Sequence, residues 1–290
     1  MNVRPHFDLP LAGGRRLELG RRPLVMGILN ITPDSFAEAR PVDPAEAVER
    51  ALAMEAEGAD LIDIGGESTR PGAEPVDART ELDRILPVLD GLRGRLQIPI
   101  SVDTYKAGVA DAALDAGASL VNDVSGLLYD PPLGEVVARR GAAIVLMHTR
   151  GRSKDMYGKA DYGDVVADVT RELQQRVDAA VGAGISRTAI VVDPGVGFAK
   201  RAAHSYGVLA RLPEIAAALG LPLLVGPSRK SFLREAAGGA EAPDRDWPTA
   251  AAVTAAVLGG AHILRVHAVA GMVQVVRAAE EIYQARCRTH

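Results

Sequence analysis

Eight short apolar segments of this chain are each followed by a polar residue or a polar cluster. These are Asn30, Gly65-Gly66-Glu67, Asp103, Asn122-Asp123, His148, Asp193, Ser228-Arg229-Lys230 and Arg265-Val266-His267. If the segments are parallel strands, their carboxyl ends lie at one edge of the sheet and these groups converge there. One polar residue at a strand end is most often structural, but eight polar ends together indicate a site for a small polar ligand.

The chemical types at the strand ends narrow the class of ligand. Asp103, Asn122 and Asp193 offer hydrogen-bond acceptors, and the amide can also donate. A planar heterocycle with an amidine-like N–H edge pairs well with a carboxylate through two parallel hydrogen bonds. Lys230 and Arg265–His267 suit an anion or carbonyl oxygens instead. The residues therefore predict a flat, donor-rich ring at one side of the site and a phosphate-like group at the other.

The segments that position these residues are typical of parallel strands buried on both faces. They are Leu24–Leu29, Asp60–Ile64, Ile98–Val102, Ser119–Val121, Ala142–Met147, Ala189–Val192, Pro222–Val225 and His262–Val266. Helical periods separate them, as in Leu82, Ile85, Leu86 and Leu89. Asp43-Pro44-Ala45-Glu46 predicts a helix start, with an N-cap aspartate and a proline in the first turn, and Gly58 predicts its end.

Eight strand–helix units favour an α/β protein of the (β/α)8 TIM-barrel class, with a single domain over residues 1–290. An open doubly wound sheet is the alternative, and it is disfavoured because no Gly-x-Gly-x-x-Gly turn follows the first strand. Phe7–Gly20 contains Gly13-Gly14 between short alternating segments and predicts an N-terminal β-hairpin that closes the bottom of the barrel.

Composition excludes several classes of protein. The 290 residues carry a net charge of −4, with 48% apolar and 24% charged residues, so no basic field attracts nucleic acid or anionic lipid. The single cysteine, Cys287, has no partner for an internal disulfide. No apolar leader precedes the first strand, and the long small-residue stretch Thr249–Leu264 is interrupted by Gly259-Gly260. We expect a soluble, cytoplasmic protein with small-molecule substrates and no nucleic-acid or membrane partner.

Two long segments resemble the signatures of a known family. Met26–Phe36, with the sequence MGILNITPDSF, is similar to the first signature of the dihydropteroate synthases, and Asp63–Gly72, DIGGESTRPG, is similar to the second. Six shorter matches follow in order: Ser101–Thr104, Asn122–Gly126, Met147-His148, Asp193–Phe198, Ser228–Phe232 and Arg265–His267. The matches run from residue 26 to residue 267, which leaves little room for chance.

The resemblance implies an enzyme of folate biosynthesis, a transferase of a pterinyl-methyl group and a target of sulfonamides. Such enzymes join 6-hydroxymethyl-7,8-dihydropterin pyrophosphate to p-aminobenzoate and release 7,8-dihydropteroate and pyrophosphate. Their cofactor is Mg²⁺, and they commonly form homodimers through C-terminal helices. The small-residue segment Ala250–Leu258 would suit such an interface.

The resemblance also implies roles for individual residues. The pterin-binding residues are Asp103, Asn122, Met147, Asp193 and Lys230. The pyrophosphate-binding residues are Asn30, Arg265 and His267, with Asn30 also a Mg²⁺ ligand. The p-aminobenzoate-binding residues are Thr69, Arg70, Pro71, Phe198, Lys230 and Ser231. The residues implied in catalysis are Asp34, Arg70, Asp103, Lys230, Arg265 and His267.

Two segments are expected to be mobile loops over the mouth of the barrel, Thr32–Pro41 and Ser68–Pro75, with Asp34 and Arg70 ordering the closed state. The chain departs from the family pattern at Ala37–Arg40, at His204-Ser205 and at Ala268, which stands where an aspartate is usual. These departures keep open a non-catalytic pterin-binding paralogue. A pterin-dependent methyltransferase is a further alternative, although it would not need Arg70 or the anion-binding pair Arg265 and His267.

Overall fold

Alternating strands and helices make up the computed structural model, which describes residues 4–32, 43–70 and 72–288. The strands are β1 Phe7–Pro10, β2 Arg16–Leu19, β3 Leu24–Asn30, β4 Leu61–Gly65, β5 Ile100–Asp103, β6 Leu120–Asp123, β7 Ala143–Met147, β8 Ile190–Asp193, β9 Leu224–Val225 and β10 Ile263–Val266. The helices are α1 Pro44–Ala56, α2 Ala78–Leu92, α3 Ala107–Asp115, α4 Leu133–Arg140, α5 Val165–Gly182, α6 Ala202–Ala210, α7 Leu212–Leu219, α8 Asp246–Leu258 and α9 Val269–Arg288.

Strands β3 to β10 form one parallel sheet that closes into a barrel. Their spatial order is β8-β7-β6-β5-β4-β3-β10-β9. The two ends of this order meet because Val192 of β8 pairs in parallel with Leu223, and the Val192 N–H donates to the Pro222 carbonyl at 3.0 Å. The predicted (β/α)8 barrel is confirmed, and the open doubly wound sheet is excluded.

The predicted hairpin is present and closes one end of the barrel. β1 and β2 pair antiparallel, with Gly13 at φ 76° in the turn between them, a left-handed conformation that glycine adopts without strain. Leu9, Leu11 and Leu19 are almost completely buried. They pack in one cluster with residues of the barrel strands, including Leu24 and Met26. The base of the barrel is therefore a filled apolar core, and a ligand can enter only from the other end.

The helix signals of the sequence are confirmed at α1. The Asp43 carboxylate accepts a hydrogen bond from the Ala45 N–H at 2.9 Å, and Pro44 is the first helical residue. Gly58 follows the helix at φ 101°. The helices bury their apolar faces against the outside of the barrel in a second, larger cluster. These helices hold the strands, and hence the residues at the strand ends, in fixed positions.

Near its two ends the chain contacts itself. Arg4 is 1% exposed and pairs with Glu280 of α9 at 2.9 Å, and its guanidinium lies 4.6 Å from the centre of the Tyr283 ring.

The small-residue segment Ala250–Leu258, which the sequence suggests for a dimer interface, lies within α8. Four of its residues are buried within the protein: Ala252, Val253, Ala256 and Val257. None of the described helices has the length and apolar character that a membrane span requires.

Candidate active site

A buried arginine joins two carboxylates at the centre of the carboxyl-end face of the barrel. Arg265 of β10 donates from Nε to Asp63 Oδ2 of β4 at 2.6 Å and from Nη2 to Asp103 Oδ2 of β5 at 2.6 Å. Asn122 of β6 donates from Nδ2 to the same Asp63 oxygen at 2.9 Å. Four strands thus contribute to one hydrogen-bonded cluster, which we call the Arg265 cluster: Asp63, Asp103, Asn122 and Arg265.

The electrostatics of the Arg265 cluster follow from its burial. Burial raises the pKa of Asp103 to about 7, against the opposing effect of Arg265, and the charge of Asp63 raises it further. Burial works against the charge of Arg265, but Asp63 and Asp103 outweigh it and hold its pKa above the ordinary value. Near neutral pH, Asp103 can therefore exchange a proton while Arg265 stays charged.

Asp193 and Lys230 form the adjoining wall of the site. Asp193 Oδ1 accepts from the Gly195 N–H at 2.7 Å, and burial raises the pKa of Asp193 while Lys230 opposes that rise. Lys230 Nζ donates to the Val196 carbonyl at 2.8 Å and lies 4.2 Å from the centre of the Phe198 ring. Burial lowers the pKa of Lys230 to about 8.

The loop after β8 can approach Lys230 and His148 closely because it contains Gly195 and Gly197. A Cβ on Gly197 would come within 2.8 Å of the Lys230 side chain, and one on Gly195 within 2.0 Å of the His148 carbonyl oxygen. Met147, at the end of β7, is 3% exposed. The structure therefore brings the predicted pterin-binding residues to one region of the barrel.

The anion side of the site is formed by β10 and the segment after β9. Ser228 Oγ accepts from the His267 backbone N–H at 3.2 Å and lies 2.9 Å from His267 Nδ1. Burial and the nearby charges of Arg265, Arg229 and Arg70 lower the pKa of His267 to about 3. At neutral pH His267 is thus uncharged, and it can offer an anion a hydrogen bond but no positive charge. Asn30 ends β3 and is half-buried, with Gly65 of β4 as its pairing partner.

Three residues at the start of α8 hold the Ser228–Lys230 turn in a backbone conformation that a non-glycine residue rarely adopts. They are Arg245, Asp246 and Thr249, and we call them the α8 strap. Arg229 has φ 58°. Its guanidinium donates to both carboxylate oxygens of Asp246, at 2.7 and 2.8 Å. Its backbone N–H donates to Thr249 Oγ1 at 3.0 Å, and its carbonyl accepts from Arg245 at 3.0 Å. These contacts fix the backbone between Ser228 and Lys230.

The mouth of the barrel contains a cavity of about 290 Å³. Thr69 and Phe198 both line it, so two of the predicted p-aminobenzoate-binding residues lie together. Arg70 and Ser231 are exposed at the mouth. The predictions for Asp34, for Pro71 and for the variant segment Ala37–Arg40 concern positions outside the described residues.

The segment before α2 is anchored to the segment after β7. The Gly72 N–H donates to the Ser153 carbonyl at 3.0 Å, and Lys154 pairs with Glu74 at 2.7 Å. These contacts place part of the predicted lid, Ser68–Pro75, against residues 149–160.

Two of the polar strand-end residues do not face the ligand site as expected. His148 is fully buried and contacts Glu172 of α5 at 3.0 Å and Lys200 Nζ at 2.8 Å. The Asp123 carboxylate accepts from the Ser125 and Leu127 N–H groups and so stabilises its own turn. Glu67 lines the mouth cavity, but its carboxylate is already bonded to Tyr105 and Lys106. These side chains stabilise the loops around the site, because packing at a strand end can direct a side chain into the helix layer.

Asp63 is the residue that reading the strand ends missed. It lies within β4 and not at its end, and it is fully buried. The sequence contains one signal for Asp63, which is a charged residue inside an otherwise apolar strand. Because an unpaired buried carboxylate is strongly unfavourable, such a residue indicates a buried partner of opposite charge. Its partner Arg265 is more than 200 positions away in the chain, so only the closed barrel identifies the pair.

Comparison with known proteins agrees with this geometry. Residues 26–267 match the family model described as pterin binding enzyme. A dihydropteroate synthase of Synechocystis sp. is 44% identical over 281 residues, which cover 96% of this chain and 97% of the relative.

Solved structures are similar over nearly the whole chain. Xanthomonas albilineans dihydropteroate synthase with 4-aminobenzoic acid has a TM-score of 0.87 at 42% identity, with coverage of 94% of this chain and 98% of that one. A Yersinia pestis dihydropteroate synthase with a sulfonamide drug complex has a TM-score of 0.89 at 40% identity, with coverage of 96% and 100%.

The fold and the site together define a (β/α)8 barrel with a polar ligand site at the carboxyl ends of its strands. The chain belongs to the family of pterin binding enzymes. The relatives described above are dihydropteroate synthases, as the sequence signatures imply.

Proposed function

We propose that this chain is a dihydropteroate synthase, which condenses 6-hydroxymethyl-7,8-dihydropterin pyrophosphate with p-aminobenzoate to give 7,8-dihydropteroate and pyrophosphate. The observation that carries this proposal is the buried Arg265 cluster beside Asp193 and Lys230, within a chain of this family. A donor-rich heterocycle is the ligand that can satisfy several buried acceptors at once.

The pterin ring would bind against the Arg265 cluster. Asp103, Asn122 and Asp193 would pair with the nitrogens of its pyrimidine edge, and Lys230 would donate to its carbonyl and ring nitrogen. Met147 would pack against the ring. Since Asp103 and Asp193 are almost completely buried, their hydrogen bonds to the ring would be little weakened by competing water.

The pyrophosphate would lie toward Asn30, Arg265 and His267. The described residues contain no group of three or more His, Cys, Asp or Glu side chains that could hold a metal ion. The single amide of Asn30 at the end of β3 fits Mg²⁺ bound mainly through the substrate, because Mg²⁺ keeps waters and phosphate oxygens and takes few protein ligands. Asn30 would hold the ion by its amide oxygen, and the ion would supply charge stabilisation to the leaving pyrophosphate. Arg265 and His267 would donate hydrogen bonds to the same group.

The reaction would be a dissociative substitution at the pterin methylene carbon. The bond to the pyrophosphate oxygen breaks and pyrophosphate leaves with the bonding electron pair, while the dihydropterin delocalises the positive charge. The aromatic amine then attacks the same carbon and loses a proton to water. The protein binds the two substrates in contact and stabilises the separating charges. Thr69, Arg70, Pro71, Phe198, Lys230 and Ser231 would hold p-aminobenzoate, with Asp34 and Arg70 in the closed loops that exclude water.

The test is to supply both substrates with Mg²⁺ and to follow pyrophosphate and dihydropteroate together. Release of both in equal amounts, abolished by a chelator, is the expected result. Binding of the pterin substrate without turnover would favour a non-catalytic paralogue. No binding would refute the pterin site itself.

We also propose that the protein works in the cytoplasm as a homodimer. The proposal for the dimer is supported by the small residues of α8, of which Ala251 and Ala255 are exposed. Light scattering is the direct test, and the mass of a single chain, 30.4 kDa, would refute the dimer.

A further inference from the structure

The segment between β7 and α5 contains a tyrosine whose hydroxyl lies next to the proposed p-aminobenzoate site. Tyr157 belongs to the short 3-10 helix Met156–Lys159. Its Oη lies 2.9 Å from Ser231 Oγ and 3.4 Å from the Gly197 carbonyl oxygen. Tyr157 is 38% exposed, and Ser231 is exposed as well. The two hydroxyls therefore form a pair at the rim of the mouth.

The position of the pair matches one end of p-aminobenzoate. The amine and the carboxylate of this substrate lie at opposite ends of the ring, and the amine must reach the pterin within the barrel. The carboxylate must then point outward, toward the exposed rim. Lys230, which directly precedes Ser231 in the chain, contacts the Phe198 ring and lies within electrostatic reach of Asp103 and Arg265 of the cluster.

The two hydroxyls can serve an anion without moving their side chains. Each can rotate its proton, so the hydrogen bond between them can be exchanged for two hydrogen bonds to an arriving carboxylate. Hydroxyls 2.9 Å apart suit the two oxygens of one carboxylate. When the site is empty they satisfy each other, and Tyr157 can also donate to the Gly197 carbonyl.

We propose that Tyr157 is a specificity-determining residue that donates a hydrogen bond to the carboxylate of the aromatic amine, beside Ser231. This inference rests on the proposed function and adds a residue to its acceptor site. Tyr157 lies in the segment that also anchors Gly72 and Glu74, so the same loop contacts both Ser231 and the segment before α2 at the mouth.

The test compares Tyr157→Phe with wild type on two ligands that differ in the group opposite the amine. These are p-aminobenzoate as substrate and sulfanilamide, which carries a neutral sulfonamide there, as competitor. Loss of a hydrogen bond to a charged group is expected to raise the KM for p-aminobenzoate roughly 5- to 10-fold. The kcat and the KM for the pterin substrate should stay within about twofold, because the contact acts equally in the ground and transition states. The Ki of sulfanilamide should change less than about threefold, because a neutral partner forms a weaker bond.

Tyr206→Phe is the matched control. Tyr206 is similarly exposed, at 42%, and its hydroxyl donates to the backbone carbonyl of Phe232, one residue beyond Ser231, at 3.2 Å. In this control the ratio of the KM for p-aminobenzoate to the Ki of sulfanilamide should stay at the wild-type value. Thermal melting of both variants checks that they fold.

An equal change for both ligands in Tyr157→Phe would show that the residue only shapes the turn, and no change for either would also overturn the inference. If the wild-type protein does not form dihydropteroate, the proposed function fails. Calorimetric binding of p-aminobenzoate, with pyrophosphate and a pterin present, then gives the same comparison without turnover.

Discussion

Removing the charge of Asp63 should change the pH dependence of the enzyme through Asp103. Asp63→Asn keeps the shape of the side chain, and its amide oxygen can still accept from Arg265 and Asn122. Asp63 Oδ2 and Asp103 Oδ2 each lie 2.6 Å from a nitrogen of the same guanidinium, and like charges a few ångström apart repel by roughly 3 kcal/mol at an effective dielectric constant of about 20. Since this repulsion contributes to the raised pKa of Asp103, the variant should lower that pKa.

The assay is the pH profile of kcat/KM for the pterin substrate, which reports ionisations of the free enzyme. In the wild-type protein kcat/KM should fall as pH decreases through about 7, because protonated Asp103 loses its negative charge and accepts fewer and weaker hydrogen bonds from the ring. It should also fall above about 8, where Lys230 loses the proton that it donates.

In Asp63→Asn the acid limb should move to lower pH while the alkaline limb stays in place. The plateau should fall roughly 5- to 10-fold, because Arg265 exchanges a charged acceptor for a neutral one. An acid limb that stays at about 7, or that moves upward, would refute the electrostatic coupling within the Arg265 cluster.

Three further predictions concern other parts of the fold. Leu9→Ala should lower the free energy of unfolding by about 3 kcal/mol in urea titrations, because the side chain is fully buried, and it should leave both KM values unchanged because the hairpin is opposite to the mouth. Asp246→Asn should reduce kcat/KM by roughly fivefold through the Ser228–Lys230 turn, whereas a change in melting temperature alone would contradict the proposed role of the α8 strap. Burial lowers the pKa of Lys200 from the ordinary value of 10.5 to about 7. Between pH 7 and pH 9 the Lys200 amine is therefore protonated in the unfolded chain but loses its proton in the folded protein. The wild-type free energy of unfolding should for this reason rise by up to about 2 kcal/mol over that range. Lys200→Met should lack this rise when urea unfolding is compared at the two pH values, and an equal rise in both proteins would refute the assignment to Lys200.

The order of strands and helices could be predicted from the sequence because each strand is a short apolar run between turn residues. The bounds were less certain. Asp60, Ile98 and Pro222 were included in strands that begin one to two residues later. The apolar runs extend to Ile98 and Pro222, and Asp60 directly precedes β4, but the ladder pairing begins later in each case. Pro222 lacks an N–H and joins the barrel only through its carbonyl.

The ligand site could be predicted in part, since polar residues at strand ends converge in any parallel barrel. The direction of each side chain could not be predicted. His148 and Asp193 end neighbouring strands, yet His148 contacts α5 while Asp193 lies within electrostatic reach of Lys230. Tyr157 belongs to a polar loop without periodicity, so only the folded chain brings it to Ser231, 74 positions away.

The contact of Arg4 with Glu280 and Tyr283 has a consequence for how the protein can be linked to others. The first and last described parts of the chain meet beside the hairpin, at the end of the barrel opposite to the ligand site. A linker from α9 to residue 4 could therefore stay on that side of the molecule in a circular permutant, with new termini in a surface loop of the helix layer. A domain fused at either end would also be kept away from the mouth, so substrates could still enter while the protein is tethered to another enzyme.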